Sequence, residues 1–94
     1  MTLYEILTDI HALNEQLAKC EKKYGLLSSV FYQWYNEGHE PEDDAWVLDF
    51  SMWAGLYEMK LERERMYDEL LQEVLKQEEG VARIISHSPA LEPA

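Results

Sequence analysis

The stretch that decides the fold is residues 3–24, which read LYEILTDIHALNEQLAKCEKKY. Its apolar residues recur at alternating spacings of three and four, which is a heptad pattern sustained over about three repeats. These positions are Leu3, Ile6, Ile10, Leu13, Leu17, Cys20 and Tyr24. Polar and charged residues lie between them, as on the solvated face of a helix. Gly25 follows the pair Lys22 and Lys23, an arrangement typical of a helix C-terminus. We therefore predict a helix over about residues 3–24.

A second, short helix is predicted over residues 29–37. Ser28 or Ser29 can cap its N-terminus, and Gly38 ends it. The aromatic residues Phe31, Tyr32, Trp34 and Tyr35 occupy four of five successive positions. Because so short a helix is marginal alone, it must pack onto another element.

A third helix is predicted over residues 45–79, after an acidic loop at 38–44 and with Gly80 as its C-cap. One of its apolar seams comprises Met52, Leu56, Met59, Arg63, Met66 and Leu70, and a second begins with Trp46, Phe50, Trp53 and Tyr57. Gly55 lies within this helix, where glycine costs about 1 kcal/mol, so we expect another helix to approach closely there.

These segments predict an all-α fold: a long antiparallel helical hairpin with a short aromatic helix between its arms. A two-helix hairpin cannot bury both seams of the third helix, so we predict a homodimer that forms a four-helix-type bundle. The predicted oligomer seam consists of Leu3, Ile6, Ile10, Leu13, Leu17, Met52, Leu56, Met59, Met66 and Leu70.

The predicted helical domain covers residues 1–79. Residues 80–94 are expected to form a short arm and a flexible tail. The segment from Val81 to Ile85 is compatible with a helical turn or with a strand-like arm, and Pro89 and Pro93 follow it.

Composition narrows the class of function. A chain of 94 residues with 19 acidic and 8 basic side chains has a net charge of −11. Its length excludes a large two-domain enzyme, and its charge makes direct nucleic-acid binding improbable because phosphates require Lys and Arg. A single Cys excludes an internal disulfide and fits a reducing compartment. With no targeting or membrane-spanning segment visible, we expect a soluble cytoplasmic protein.

Charge and aromatic rings are concentrated in the same region. Residues 37–49 contain six acids and no Lys or Arg, and eight of the eleven aromatic residues lie between Phe31 and Tyr57. Trp and Tyr are typical of interfaces, and acidic groups favour a basic protein partner. The predicted partner-binding residues are Trp34, Tyr35, Glu42, Asp43, Asp44, Trp46, Phe50, Trp53 and Tyr57. For the rings themselves, a homodimer core is the leading interpretation, and a site for a different protein is the second.

No catalytic or metal site is predicted, and no cofactor. His39 with Glu37 or Asp43 could bind a metal, but an exposed loop histidine is the favoured interpretation. Glu58 and Glu62 share a helical face, as in Mg²⁺-dependent nucleotide pyrophosphohydrolases, yet neighbouring basic residues favour a solvated, paired surface. A Mg²⁺-dependent nucleotide hydrolase and a purely structural homo-oligomer remain the alternative functions.

Parts of residues 20–60 resemble a group of small helical bacterial and archaeal proteins. The matching positions are Lys23-Tyr24-Gly25, Ser28-Ser29, Phe31-Tyr32, Tyr35, Gly38, Asp44 and the run from Trp53 to Met59. Those proteins are regarded as antitoxin-like components of toxin–antitoxin modules. The resemblance implies an acidic, non-catalytic protein that binds and silences a basic toxin directed at RNA.

Overall fold

The computed structural model describes residues 1–77 and 79–88, and every regular element in them is helical. Helix α1 spans Leu3–Tyr24, α2 spans Ser28–Asn36, α3 spans Val47–Leu75 and α4 spans Gly80–Ser86. A single 3₁₀ turn, Asp44–Trp46, leads into α3. None of the helices in the described part of the chain combines the length and apolar character needed to cross a membrane.

The ends of α1 are fixed by local hydrogen bonds. The Thr2 hydroxyl accepts from the Glu5 backbone N–H at 3.1 Å, and the Glu5 carboxylate accepts from the Thr2 N–H at 3.0 Å. This capping box gives hydrogen-bond partners to two backbone N–H groups that have no carbonyl partner within the helix. At the other end Gly25 adopts a left-handed conformation with φ of 72°, and its N–H donates to the Glu21 carbonyl.

Helices α1 and α3 pack against each other in opposite directions. Lys23, at the end of α1, pairs with Asp49 in the first turn of α3. Asp9, in the first half of α1, pairs with Arg63, in the second half of α3. Ile6, Leu13 and Leu17 form the buried side of α1, which agrees with the heptad pattern. Assigning these three to an oligomer seam was wrong, because they are already buried within a single chain.

Helix α2 supplies the third wall of the core. The Phe31 ring stacks on the Trp53 indole with centroids 3.8 Å apart and planes 4° apart, and both side chains are almost wholly buried. Leu17, Phe50 and Ala54 complete this cluster. The short aromatic helix is therefore stabilised by burial against α1 and α3, as its marginal length requires.

A chain of hydrogen bonds crosses the same core. The Trp53 Nε1–H donates to the Ser28 hydroxyl at 2.9 Å, and that hydroxyl donates to Glu21 Oε2 at 2.7 Å. Glu21 Oε2 also accepts from the Ser28 backbone N–H at 2.8 Å. Each of the three helices contributes one member, so the polar groups that are taken from water remain satisfied.

The predicted bounds of the third helix, 45–79, are wrong at both ends. Residues 45 and 46 belong to the 3₁₀ turn. At the other end α3 stops at Leu75, and Glu79 adopts a positive φ of 68°. A Cβ on Gly80 would lie 3.3 Å from the Leu75 Cα, so the chain folds back closely here and Gly80 begins α4 rather than capping α3.

Three further predictions concern residues 80–94 and Gly55. Of the two possibilities for Val81–Ile85, the structure shows the helical one, since these residues lie in α4. Residues 89–94 of the predicted tail lie outside the described residues. The close approach expected at Gly55 is absent within the chain, because a Cβ built there meets no atom within 4 Å.

Candidate partner-binding surface

The acidic loop joins α2 to α3 at the end of the molecule where α1 finishes. Glu40, Glu42, Asp43 and Asp44 are all exposed. Asp43 has a structural task as well, because its carboxylate accepts from the Ala45 N–H at 2.9 Å and caps the 3₁₀ turn. The other three acids are positioned by the backbone alone.

Two tryptophan rings flank the loop. The rings of Trp34 and Trp46 lie 6.2 and 6.1 Å from Phe50, one edge-on and one nearly parallel. Trp34 comes from the last turn of α2 and Trp46 from the 3₁₀ turn. Both remain more than one-third exposed, at 36% and 39%. We call these two rings and the exposed acids Glu40, Glu42, Asp43 and Asp44 the acidic–aromatic surface.

His39 completes one side of this surface. Its imidazole stacks on the Trp34 indole, with ring centroids 5.1 Å apart and planes 5° apart, and its Nε2 lies 3.6 Å from the Glu37 carboxylate. Stacking of this kind fixes the loop against α2. The sequence placed His39 in the acidic loop but gave no signal for the stack, which depends on how Gly38 turns the chain.

The charges of this region differ in their surroundings. Asp49 accepts hydrogen bonds from Lys23 and Tyr24, which together hold the pKa of its carboxyl below the ordinary value. In contrast, the four acids of the acidic–aromatic surface form no ion pair with any described residue. Their negative charge is therefore available to a partner.

The predicted partner-binding residues separate into three groups according to their exposure. Trp34, Trp46 and the acids Glu42, Asp43 and Asp44 lie on the surface. Phe50 and Trp53 do not, since they are only 8% and 0% exposed. Assigning them to a partner surface was wrong, because packing of α2 across α3 encloses both rings within one chain.

Tyr35 and Tyr57 have intermediate positions. The Tyr35 ring lies 5.4 Å from Phe31, and the Tyr57 ring lies 4.9 Å from Tyr32. Each is half-buried and supports the core more than the surface. Val47 and Leu48, which follow Trp46, are 51% and 74% exposed, and the sequence analysis did not single them out.

The carboxylates of the hydrolase alternative have separate partners. Glu58 accepts from the Tyr32 hydroxyl at 3.0 Å, whereas Glu62 pairs with Arg65, which lowers the pKa of Glu62. Within residues 1–77 and 79–88, no three His, Cys, Asp or Glu side chains are grouped as metal ligands would be. Partial burial raises the pKa of the Cys20 thiol, which disfavours the reactive thiolate.

Comparison with known proteins adds no assignment, since no protein-family model, no curated protein and no solved structure matches this chain.

Proposed function

We propose that this chain is a non-catalytic protein–protein interaction module that binds and neutralises a small basic toxin in the cytoplasm. The observation that carries the proposal is the acidic–aromatic surface. There, two tryptophan rings stay more than one-third exposed beside four carboxylates without an ion-pair partner among the described residues. In the proposed assembly two copies of the α1–α3 hairpin form a four-helix-type bundle.

The chemistry of this surface suits a basic protein. Trp rings supply much of the binding energy at interfaces when they become buried against a partner. Clustered carboxylates attract Lys and Arg, accelerate the encounter and reject acidic partners. A toxin that acts on RNA needs its basic residues free for phosphates, so covering those residues with this surface would silence it.

The resemblance to antitoxin-like proteins supports the same assignment. It spans about residues 20–60, and its matched positions include Gly38 and Asp44 at the two ends of the acidic loop. The partner it implies is basic, which is the partner that the unpaired carboxylates favour.

The test is co-expression of the chain with the tagged product of the neighbouring gene. We expect the two proteins to co-purify and the toxicity of the neighbour to be suppressed. The variant Glu42→Lys/Asp44→Lys should lose both effects, because it reverses charge on the acidic–aromatic surface. Asp43 is retained because it caps the turn.

A matched control is Glu15→Lys/Asp68→Lys. Both residues are exposed and form no ion pair with the described residues, so the net charge changes by the same amount away from the surface. The control should still bind. If the neighbouring product does not co-purify, or if both variants behave alike, the proposal is wrong.

A further inference from the structure

One long face of the α1–α3 pair is left uncovered. Helix α2 lies over Phe50 and Tyr57 of α3. Met52 and Met59 each lie two positions further along, which places them roughly 160° away around the helix. Their side chains are 55% and 48% exposed, and Leu48, one turn before Met52, is 74% exposed. We call the side of α1 and α3 that carries Met52 and Met59 the uncovered face.

Shallow grooves run between the two helices on this face. One, of about 190 Å³, lies beside Met52 and is bordered by Lys19, Lys23 and Asp49. The other, of about 210 Å³, lies beside Met59 and is bordered by Gln16, Asp9 and Arg63. The face therefore has an apolar strip along α3 and charged residues toward each end.

The single chain leaves many large apolar side chains exposed. Among the described residues seven hydrophobic side chains are buried, whereas sixteen large ones remain exposed. Burying some of these side chains against a second chain would add stability in proportion to the apolar area removed from water. The uncovered face offers the adaptable methionine side chains that pack well in such a contact.

The position of Gly55 fits a second copy of this same chain. Gly55 lies three residues after Met52 and four before Met59, close to the midpoint between them. If two α3 helices cross in opposite directions there, Met52 of each copy lies beside Met59 of the other, as two-fold symmetry requires. The space beside Gly55 is open in the single chain, and the missing side chain lets two backbones come close.

The charge near the grooves also favours a second copy of this chain on the uncovered face. The charged residues that border the two grooves are Lys19, Lys23 and Arg63 against Asp9 and Asp49, a net charge of +1 on a chain whose total is −11. Two copies that meet elsewhere would bring acidic surfaces together, which opposes association. On the uncovered face the residues that border the grooves add no acidic repulsion of their own, and only the net charges of the two copies still repel one another.

We infer that a second copy of the chain docks on the uncovered face, with the two α3 helices crossing at Gly55. The inference rests on the proposed homodimer and is independent of the toxin. It leaves the acidic–aromatic surface of each copy free, because Trp34 and the loop lie on other elements.

The experiment measures the dimer dissociation constant of the purified full chain by sedimentation equilibrium. Met52→Gln/Met59→Gln should raise the Kd by roughly 100-fold, because four side chains per dimer become polar. Gly55→Ala should raise it at least tenfold by placing a Cβ in the crossing. Helix content by circular dichroism reports whether each variant is folded, and Gly55→Ala is expected to keep the helix fully formed.

The matched control is Leu27→Gln/Val30→Gln at the start of α2, where the side chains are 65% and 50% exposed. Its Kd should stay within about threefold of the parent value.

If the parent chain is monomeric at about 100 μM, the homodimer and the inference both fail. If the parent dimerises but the α2 control is the variant that dissociates, or folded Gly55→Ala dimerises as before, only the inferred face is wrong. Toxin binding is read separately by co-purification.

Discussion

At the scale of single residues, Ser28 joins the three main helices. Its hydroxyl accepts from Trp53 and donates to Glu21, and it is 3% exposed. Removing it leaves the indole N–H without a partner in a buried place, which costs more than the hydrogen bond itself contributed. The sequence suggested Ser28 or Ser29 as the N-cap of α2, whereas Leu27 occupies that position. The hydrogen bond to Trp53 was not predicted, because Trp53 lies 25 residues away in the chain.

We predict that Ser28→Ala lowers the free energy of unfolding by about 1–3 kcal/mol, measured by urea denaturation. The control is Ser29→Ala, which makes the same change at an exposed neighbouring position. It should alter stability by less than about 0.5 kcal/mol. Equal effects of the two substitutions would show that the hydrogen-bond chain contributes nothing.

Glu21 makes stability depend on pH. Two hydrogen bonds from Ser28 hold the pKa of its carboxyl below the ordinary value of 4.5. Because the folded state favours the ionised form, this stabilisation is present above the unfolded pKa and is lost as pH falls through the lower, folded one. The difference in unfolding free energy between the parent and Glu21→Gln should therefore shrink between about pH 6 and about pH 3. A difference that stays constant over this range would contradict the assignment.

At the scale of the elements, replacing two of the glycines by alanine is expected to change stability in opposite directions. Gly25 has a φ of 72°, so Gly25→Ala should destabilise the fold by about 1 kcal/mol through left-handed strain. Gly55 lies in α3 without a positive φ, so Gly55→Ala should stabilise the monomer by up to about 1 kcal/mol. Thermal unfolding measures both changes in stability, and it is carried out in the Met52→Gln/Met59→Gln background because dimer contacts are weakened there. Shifts of the same sign would contradict this account.

The helices could be predicted from the sequence to different extents. The heptad pattern and Gly25 located α1 over Leu3–Tyr24 because these signals are local. The end of α3 was missed because Leu75 precedes a turn in which Glu79, a residue without left-handed preference, adopts a positive φ. That conformation depends on α4 folding back onto α3, which no local pattern reports.

At the scale of the whole molecule, the candidate site could be located but not resolved into residues. The coincidence of charge and aromatic rings pointed to residues 31–57. Which rings stay exposed depends on the packing of α2, which encloses Phe50 and Trp53 but leaves Trp34 and Trp46 at the edge. Periodicity assigns a ring to a face and does not say which neighbour covers it.

Net charge predicts opposite effects of salt on the two proposed contacts. Copies of a chain with a charge of −11 repel one another, so raising NaCl from about 0.05 to about 0.5 M should tighten the dimer. Binding of a basic partner to the acidic–aromatic surface should weaken over the same range. Sedimentation equilibrium and isothermal calorimetry measure the two constants, and parallel changes would contradict the separation of the two surfaces.

The central claim is that the acidic–aromatic surface binds a basic protein. Its most direct test is the Kd, by isothermal calorimetry, for the purified product of the neighbouring gene. We predict that Glu42→Lys/Asp44→Lys raises this Kd at least 100-fold, equivalent to about 2.7 kcal/mol, whereas Glu15→Lys/Asp68→Lys changes it by less than about threefold. Equal Kd values for the two variants, or no binding by the parent chain, would contradict the claim.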